Sequence, residues 1–176
     1  MEDKLKSIFS NVNDWLKFAE TKNALMIPFS GVIIFGALAY LKADTGVPAF
    51  VRYYIMNLVI FQGLALTTVL CSFLPQTKIE WLWKNEACQD GDNLLFYGHI
   101  KKYDQIKYLE ALYKANEKSP GNFTKMEKDY AAQIIINSKI TARKCRYFKI
   151  SFWFVAWALL TPILGVIVYL FIDPNQ

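Results

Sequence analysis

Three long runs of uncharged, mostly apolar residues constrain this chain more than any other feature of its sequence. They are Asn23–Leu41, Tyr53–Leu74 and Ile150–Ile172, with 19, 22 and 23 residues. An α-helix rises about 1.5 Å per residue, so each run can cross the roughly 30 Å hydrocarbon core of a bilayer. Helices also satisfy their own backbone hydrogen bonds, as lipid requires. The sequence therefore predicts an all-α integral membrane protein with three transmembrane helices.

The distribution of lysine and arginine predicts how these helices are oriented. The segment up to Lys22 has four of these residues and the segment 75–149 has fourteen. The loop between the first two runs has two, and residues 173–176 have none. Because positive charge accumulates on the cytoplasmic side of a membrane, we expect the N-terminus and residues 75–149 in the cytoplasm. The C-terminus is then expected on the outside.

These boundaries predict a small helical cytoplasmic domain inserted between the second and third spans. Within the membrane part, the spans are 23–41 and 53–74 in a hairpin, followed later by 150–172. The full division is a cytoplasmic amphipathic helix at 1–22, a transmembrane hairpin at 23–74, the cytoplasmic domain at 75–149, the third transmembrane helix at 150–172 and an external tail at 173–176.

Capping signals predict two helices in the cytoplasmic domain. Asp104 can cap a helix that continues to roughly Lys118. Thr124 and Glu127 have the spacing of a capping box, which starts the next helix. No break follows before the third apolar run, so we expect one long helix that enters the membrane, with Pro162 as a possible kink position.

The segment before the first run is predicted to be an amphipathic helix. Apolar residues recur there at helical spacing, at Leu5, Ile8, Phe9, Val12, Leu16 and Ala19. Such a helix can lie on the membrane surface or pack against the cytoplasmic domain. We favour packing on the domain.

The chain lacks the residues that several kinds of functional site require. The single histidine, His99, excludes a multi-histidine metal site. No serine or cysteine lies in a recognisable nucleophile motif, and the three apolar runs contain no charged residue. The net charge of +5 is explained by membrane orientation, so a nucleic acid polymer is not expected as a partner. We expect a protein without enzymatic activity or cofactor.

The second run contains the polar residues Asn57, Gln62, Thr67, Thr68 and Ser72. One interpretation is hydrogen bonding between helices, with Gly63 and Thr67 as close-packing positions. The other interpretation is a polar stripe that lines a path when several copies assemble. The sequence leaves both open.

Three segments, taken in order, resemble the Pycsar membrane effector family of bacterial antiphage defence. Asp14–Lys22 directly precedes a span, Asn93–Ile100 precedes a tyrosine-containing helix, and Gln133–Lys144 leads into the final span. The resemblance covers roughly Asp14 to Ile172. The family usually has a Phe-Phe-Gly-like segment and a Lys-Tyr pair, where this chain has Phe-Tyr-Gly and Lys-Cys.

This resemblance implies a function. Such effectors are paired with a nucleotide cyclase that responds to phage infection and makes a cyclic pyrimidine mononucleotide. The effector senses this activating ligand and impairs the membrane. The resemblance therefore implies a location in the bacterial inner membrane and partners that include the lipid bilayer and a cyclic nucleotide. We also expect copies of the chain to associate through their spans as a homo-oligomer.

A cyclic mononucleotide needs a cationic site for its phosphate and a flat apolar surface for its base. The candidate ligand-binding residues are Lys139, Arg143, Lys144, Arg146, Phe96, Tyr97, His99 and Tyr108, and the candidate residues at the membrane edge are Glu20 and Lys22. Each set also has a simpler explanation. The cations can serve membrane orientation alone, the aromatic residues can form the domain core, and the edge residues can form an interfacial ion pair.

A competing hypothesis is a membrane-anchored structural or interaction protein. It would recruit a cytoplasmic partner through its helical domain and would need no ligand. An enzyme that acts on lipid is disfavoured, because the inner-edge residues supply no set of acid, base and nucleophile.

Overall fold

The computed structural model describes residues 1–43, 46, 48–74, 87–89, 91–117, 119 and 121–172, with side chains to Gly165 in the last helix. The described residues form helices and connecting turns, with no strand among them. The helices are α1 (Glu2–Ala43), α2 (Ala49–Phe73), α3 (Tyr97–Ile100), α4 (Gln105–Ala115) and α5 (Lys125–Ile172). The predicted external tail, residues 173–176, and residues 75–86 of the predicted cytoplasmic domain lie outside the described residues.

Three of these helices, α1, α2 and α5, are long and apolar enough to cross a membrane. Large apolar side chains are widely exposed along them, for example Val32 at 73%, Phe35 at 74% and Ile60 at 57%. Such surfaces are incompatible with water but suit a lipid environment. The predicted all-α membrane fold is confirmed, with three spans and with α3 and α4 inserted between the second and third.

The first and last helices continue from polar sequence into apolar sequence without a break. Helix α1 includes both the N-terminal amphipathic segment and the first apolar run. Helix α5 begins at the predicted capping box, where Thr124 Oγ1 accepts from the Glu127 amide at 3.2 Å and Glu127 Oε2 accepts from the Thr124 amide at 3.1 Å. The prediction of one long helix from this box through the third apolar run is confirmed.

The chain divides into two compact units. The first unit comprises Met1–Thr21 and Pro75–Cys145, and the second comprises Lys22–Leu74 and Arg146–Gln176.

An apolar core in the first unit joins the start of α1 to the other helices of that unit. Leu5, Ile8 and Val12 are at most 5% exposed. They belong to one cluster with Ile100, Tyr103, Tyr108, Leu109, Leu112, Ala131, Ile134 and Ile135. The expected packing of the amphipathic segment on the helical domain is confirmed, because its apolar face completes this core.

Two polar contacts in the first unit place α1 and α5 side by side and parallel. Asn137 Nδ2 donates to Asn13 Oδ1 at 2.7 Å. Seven residues further along both helices, Lys144 Nζ lies 3.4 Å from Glu20 Oε1. Equal steps along two helices in the same direction define a parallel pair with matching register.

Helix α4 is shorter than the sequence predicts. Asp104 caps it as expected, accepting from the Lys107 amide at 2.9 Å. The helix ends at Ala115, because Asn116 Nδ2 donates to the Leu112 carbonyl at 2.6 Å and Glu117 adopts a left-handed φ of 54°. The helix therefore ends before the predicted end near Lys118, a residue that lies outside the described part of the chain.

The second unit contains the described parts of α1, α2 and α5 that are predicted to span the membrane. Ser151 Oγ of α5 donates to the Ala65 carbonyl of α2 at 3.0 Å. The Tyr54 hydroxyl occupies the space next to Gly165. A Cβ added to Gly165 would lie 1.1 Å from the Tyr54 hydroxyl oxygen. By contrast, an added Cβ at Gly63 would meet nothing within 4 Å, and Thr67 is exposed. Gly63 and Thr67 are therefore not close-packing positions among the described residues.

Candidate ligand-binding site

A compact turn in the first unit fixes His99. Asp92 accepts from the Gln89 amide at 3.0 Å and pairs with Lys102 Nζ at 2.9 Å. The hydrogen bond from Gln89 and the ammonium of Lys102 hold the pKa of the Asp92 carboxyl below its ordinary value. The Asn93 amide donates to His99 Nδ1 at 2.7 Å, so a neutral ring carries its proton on Nε2. The imidazole therefore has a defined orientation and a donor on its outer nitrogen.

Aromatic rings lie next to this histidine. The Phe96 ring meets the His99 ring edge to face, with 5.6 Å between centroids, and is tilted against the Tyr97 ring at 4.6 Å. The Trp15 ring of α1 lies 5.7 Å from the Tyr97 ring, also tilted. We call Trp15, Phe96 and Tyr97 the aromatic cluster. Trp15 is 39% and Phe96 38% exposed, so the cluster presents ring surface at the edge of the unit.

Gly98 allows the Phe96 ring to fold over the turn. A Cβ at this position would lie 2.5 Å from Phe96 Cε1, well inside van der Waals contact. The absence of a side chain at Gly98 therefore allows the position of the Phe96 ring.

Tyr97 connects the aromatic cluster to α5. Its hydroxyl donates to Cys145 Sγ at 3.6 Å. Burial, together with this hydrogen bond, raises the pKa of Tyr97 to about 12, so the phenol is neutral at physiological pH. Cys145 directly follows Lys144, so the contact brings the cluster to the cationic turn of α5.

The predicted cations of α5 have different environments. Lys139 is exposed, Arg143 is partly buried, and the Lys144 side chain is only 9% exposed. Lys144 pairs with Glu20, whose side chain is 49% exposed. Lys139, Arg143 and Lys144 thus follow one helix within the first unit. An anion that reached Lys144 would compete with the Glu20 carboxylate.

Two predicted cations belong to the second unit. Arg146 is exposed there, and Lys22 Nζ lies 5.3 Å from the centre of the Phe148 ring, within cation–π range. Their assignments to a ligand site and to the membrane edge remain predictions.

Tyr108 has a structural position in the first unit. It has no exposed surface, and its hydroxyl donates to the Leu94 carbonyl at 2.8 Å. Burial raises the pKa of its phenol above the ordinary value. Tyr108 supports the segment that precedes the aromatic cluster, and it cannot stack on a ligand in this structure.

The structure thus brings together Phe96, Tyr97 and His99 and connects them to Lys144. Sequence reasoning missed Trp15 as a member of the site, although the residue stood within a segment that carried the family resemblance. The arrangement offers ring faces, an imidazole N–H donor and the nearby Lys144 turn, which together suit a ligand with a flat ring and an anionic group. Among the described residues, no three His, Cys, Asp or Glu side chains come close enough to hold a metal ion.

The fold and this cluster define a class: a helical membrane protein with three candidate spans and a separate helical unit that carries an aromatic and cationic site. Comparison with known families gives the family itself. The model of the Pycsar effector protein domain matches residues 4–172. The chain belongs to this family and is a transmembrane effector of antiphage defence.

Comparison with curated proteins and with solved structures gives no match.

Proposed function

We propose that this protein senses a cyclic nucleotide, with a cyclic pyrimidine monophosphate favoured, through its first unit and then impairs the membrane. The observation that carries the proposal is the aromatic cluster beside His99 and the Lys144 turn of α5. A flat base can stack on exposed rings, and a cyclic phosphate carries one negative charge that an ammonium can bind. The first unit lies in the cytoplasm in this proposal, where a partner cyclase would release the ligand.

The membrane step follows from a change in packing rather than from catalysis. Copies of the chain associate through their spans as a homo-oligomer in the inner membrane. Ligand binding shifts the equilibrium between a resting and an activated arrangement, by the difference between its affinities for the two. The protein needs no cofactor beyond this activating ligand. The continuous helices α1 and α5 support the proposal, because each contributes residues both to the site region and to a span.

The base-stacking step is tested with Trp15→Ala. The purified, detergent-solubilised protein is titrated with cyclic CMP, cyclic UMP, cyclic AMP and cyclic GMP by calorimetry. A stacked base is worth roughly 1–3 kcal/mol, so we expect affinity to fall by a factor of about 5 to 150. Trp153→Ala is the matched control, since Trp153 is an exposed tryptophan at 55% in the second unit. Equal affinity of Trp15→Ala and the wild type would contradict the assignment.

The membrane step is tested by dye release from liposomes containing the protein. We expect release that depends on the nucleotide that binds most tightly and that saturates with its binding curve. Binding without any dye release at saturating nucleotide would rule out the proposed membrane step.

A membrane-anchored interaction protein is the second candidate, because the first unit exposes apolar side chains outside the aromatic cluster. Ile106 is 43%, Met126 54% and Ile136 46% exposed. Stable capture of one cytoplasmic protein by the full chain, together with an absence of nucleotide binding, would favour this candidate.

A further inference from the structure

The second unit buries polar side chains together with apolar ones such as Ala65, Val69 and Ala158. Its fully buried residues, with no exposed surface, include several polar side chains: Asn23, Ser30, Gln62, Ser72 and Ser151. Its exposed residues are large and apolar, as expected for contact with lipid. Apolar packing alone does not account for the polar part of this interior.

Gln62 is the most unusual of these residues. It has no exposed surface, and neither its Oε1 nor its Nε2 has a hydrogen-bond partner. The Ser30 hydroxyl is likewise buried without a partner. Most buried polar atoms in proteins are hydrogen-bonded, and an unpaired amide is especially costly where lipid excludes water.

The threonines of the spans show that the sequence can satisfy such groups locally. The hydroxyls of Thr67, Thr68 and Thr161 each donate to the carbonyl four residues earlier in their own helix. Gln62 and Ser30 have no such bond, so their polar groups remain available within the unit. The resting packing therefore carries the free-energy cost of these unpaired polar groups, and an arrangement that admitted water would remove that cost.

The second unit also contains a cavity that is lined in part by a third residue with a buried, unpaired polar atom. A cavity of 350 Å³ is lined by Phe50, Tyr53, Tyr54, Asn57 and Thr161. Asn57 Oδ1 is buried without a hydrogen-bond partner. Because Asn57 lines this cavity while its carbonyl oxygen is buried, a rearrangement of its side chain would bring that oxygen to water in the cavity.

We propose that buried polar side chains of the second unit, among them Gln62 and Ser30, line a permeation path for small hydrated ions in the activated state. The inference rests on the proposed function, because it specifies how the membrane is impaired. In the activated state water solvates the Gln62 amide, which removes the penalty of the resting state. The apolar runs contain no charged residue, so this path discriminates little between cations and anions.

The test measures ion current across planar bilayers containing the full chain, under a KCl gradient, with saturating cyclic nucleotide. Gln62→Leu removes the amide at similar volume. We expect its current to fall at least tenfold with unchanged nucleotide affinity, while its melting temperature rises. Gln62→Glu adds a charge to the path, and we expect its reversal potential to move towards that of potassium. Thr67→Val is the matched control on the exposed face of the same helix. It should leave the current and the reversal potential unchanged.

The possible failures can be told apart. Wild-type current together with wild-type reversal potential in both Gln62 variants overturns the path while leaving the proposed function in place. A Gln62→Leu protein that is less stable than the wild type also overturns it, because the amide would then be satisfied in the resting state. A wild-type protein that binds nucleotide and passes no ions overturns the membrane step of the proposed function together with this inference.

Discussion

Removing the Glu20 carboxylate should destabilise the first unit by more than an ordinary surface charge would. Lys144 Nζ lies 3.4 Å from Glu20 Oε1, with side-chain exposures of 9% and 49%. Exposed ion pairs contribute about 0–1 kcal/mol, whereas breaking a fully buried pair costs about 3–5 kcal/mol. For a pair with one buried and one half-exposed member, we expect Glu20→Gln to cost about 2 kcal/mol. This corresponds to a melting temperature lower by roughly 4–8 °C for a chain of this length.

The assay is thermal unfolding in detergent, followed by tryptophan fluorescence. Asp14→Asn is the matched control, because Asp14 pairs with Lys17 at 3.8 Å while both side chains are at least 70% exposed. We expect less than about 0.5 kcal/mol from this control. In a double-mutant cycle, Lys144→Met should cost less in the Glu20→Gln background than in the wild type. An effect of Glu20→Gln no larger than that of Asp14→Asn, or a cycle without coupling, would refute the reasoning.

Three further predictions concern the first unit. Gly98→Ala places a Cβ 2.5 Å from Phe96 Cε1, so we expect about 1 kcal/mol lower stability and weaker nucleotide binding, measured by thermal unfolding and calorimetry. Glu117→Gly relieves a left-handed φ of 54° and should raise the melting temperature by roughly 2–4 °C. Asp92→Asn should lower the melting temperature at neutral pH. The pKa of Asp92 is below its ordinary 3.8, so the stabilisation is present above 3.8 and disappears as the pH falls through the lowered value. The wild-type and Asp92→Asn melting curves should then converge in acid.

The fold could be predicted from the sequence because its determinants are local. An uncharged run long enough to cross a bilayer has few alternatives to a membrane helix. The capping box at Thr124 and Glu127 likewise identifies the start of α5 from four consecutive residues. The sequence predicts too late an end for α4. A hydrogen bond from the Asn116 side chain to the Leu112 carbonyl ends the helix, and helix propensity alone does not show that bond.

The candidate site could be predicted only in part because it depends on contacts between distant segments. Trp15 meets Tyr97 across most of the first unit's sequence, and no local pattern announces that contact. Tyr108 has the same aromatic character as Tyr97, yet burial makes one a core residue and leaves the other at the site. Sequence also gave no sign that Lys144 would be buried against Glu20.

The matched register of α1 and α5 restricts how these helices can move past each other. Their polar contacts recur after seven residues, an axial interval of about 10 Å. A slip by a single turn would set the Lys144 ammonium opposite Leu16 or Lys17 instead of Glu20, and would separate the two asparagines as well. Piston-like sliding is therefore penalised at both contacts at once. A movement of the two helices together as one body keeps both contacts, so we expect this part of the pair to move as a single unit.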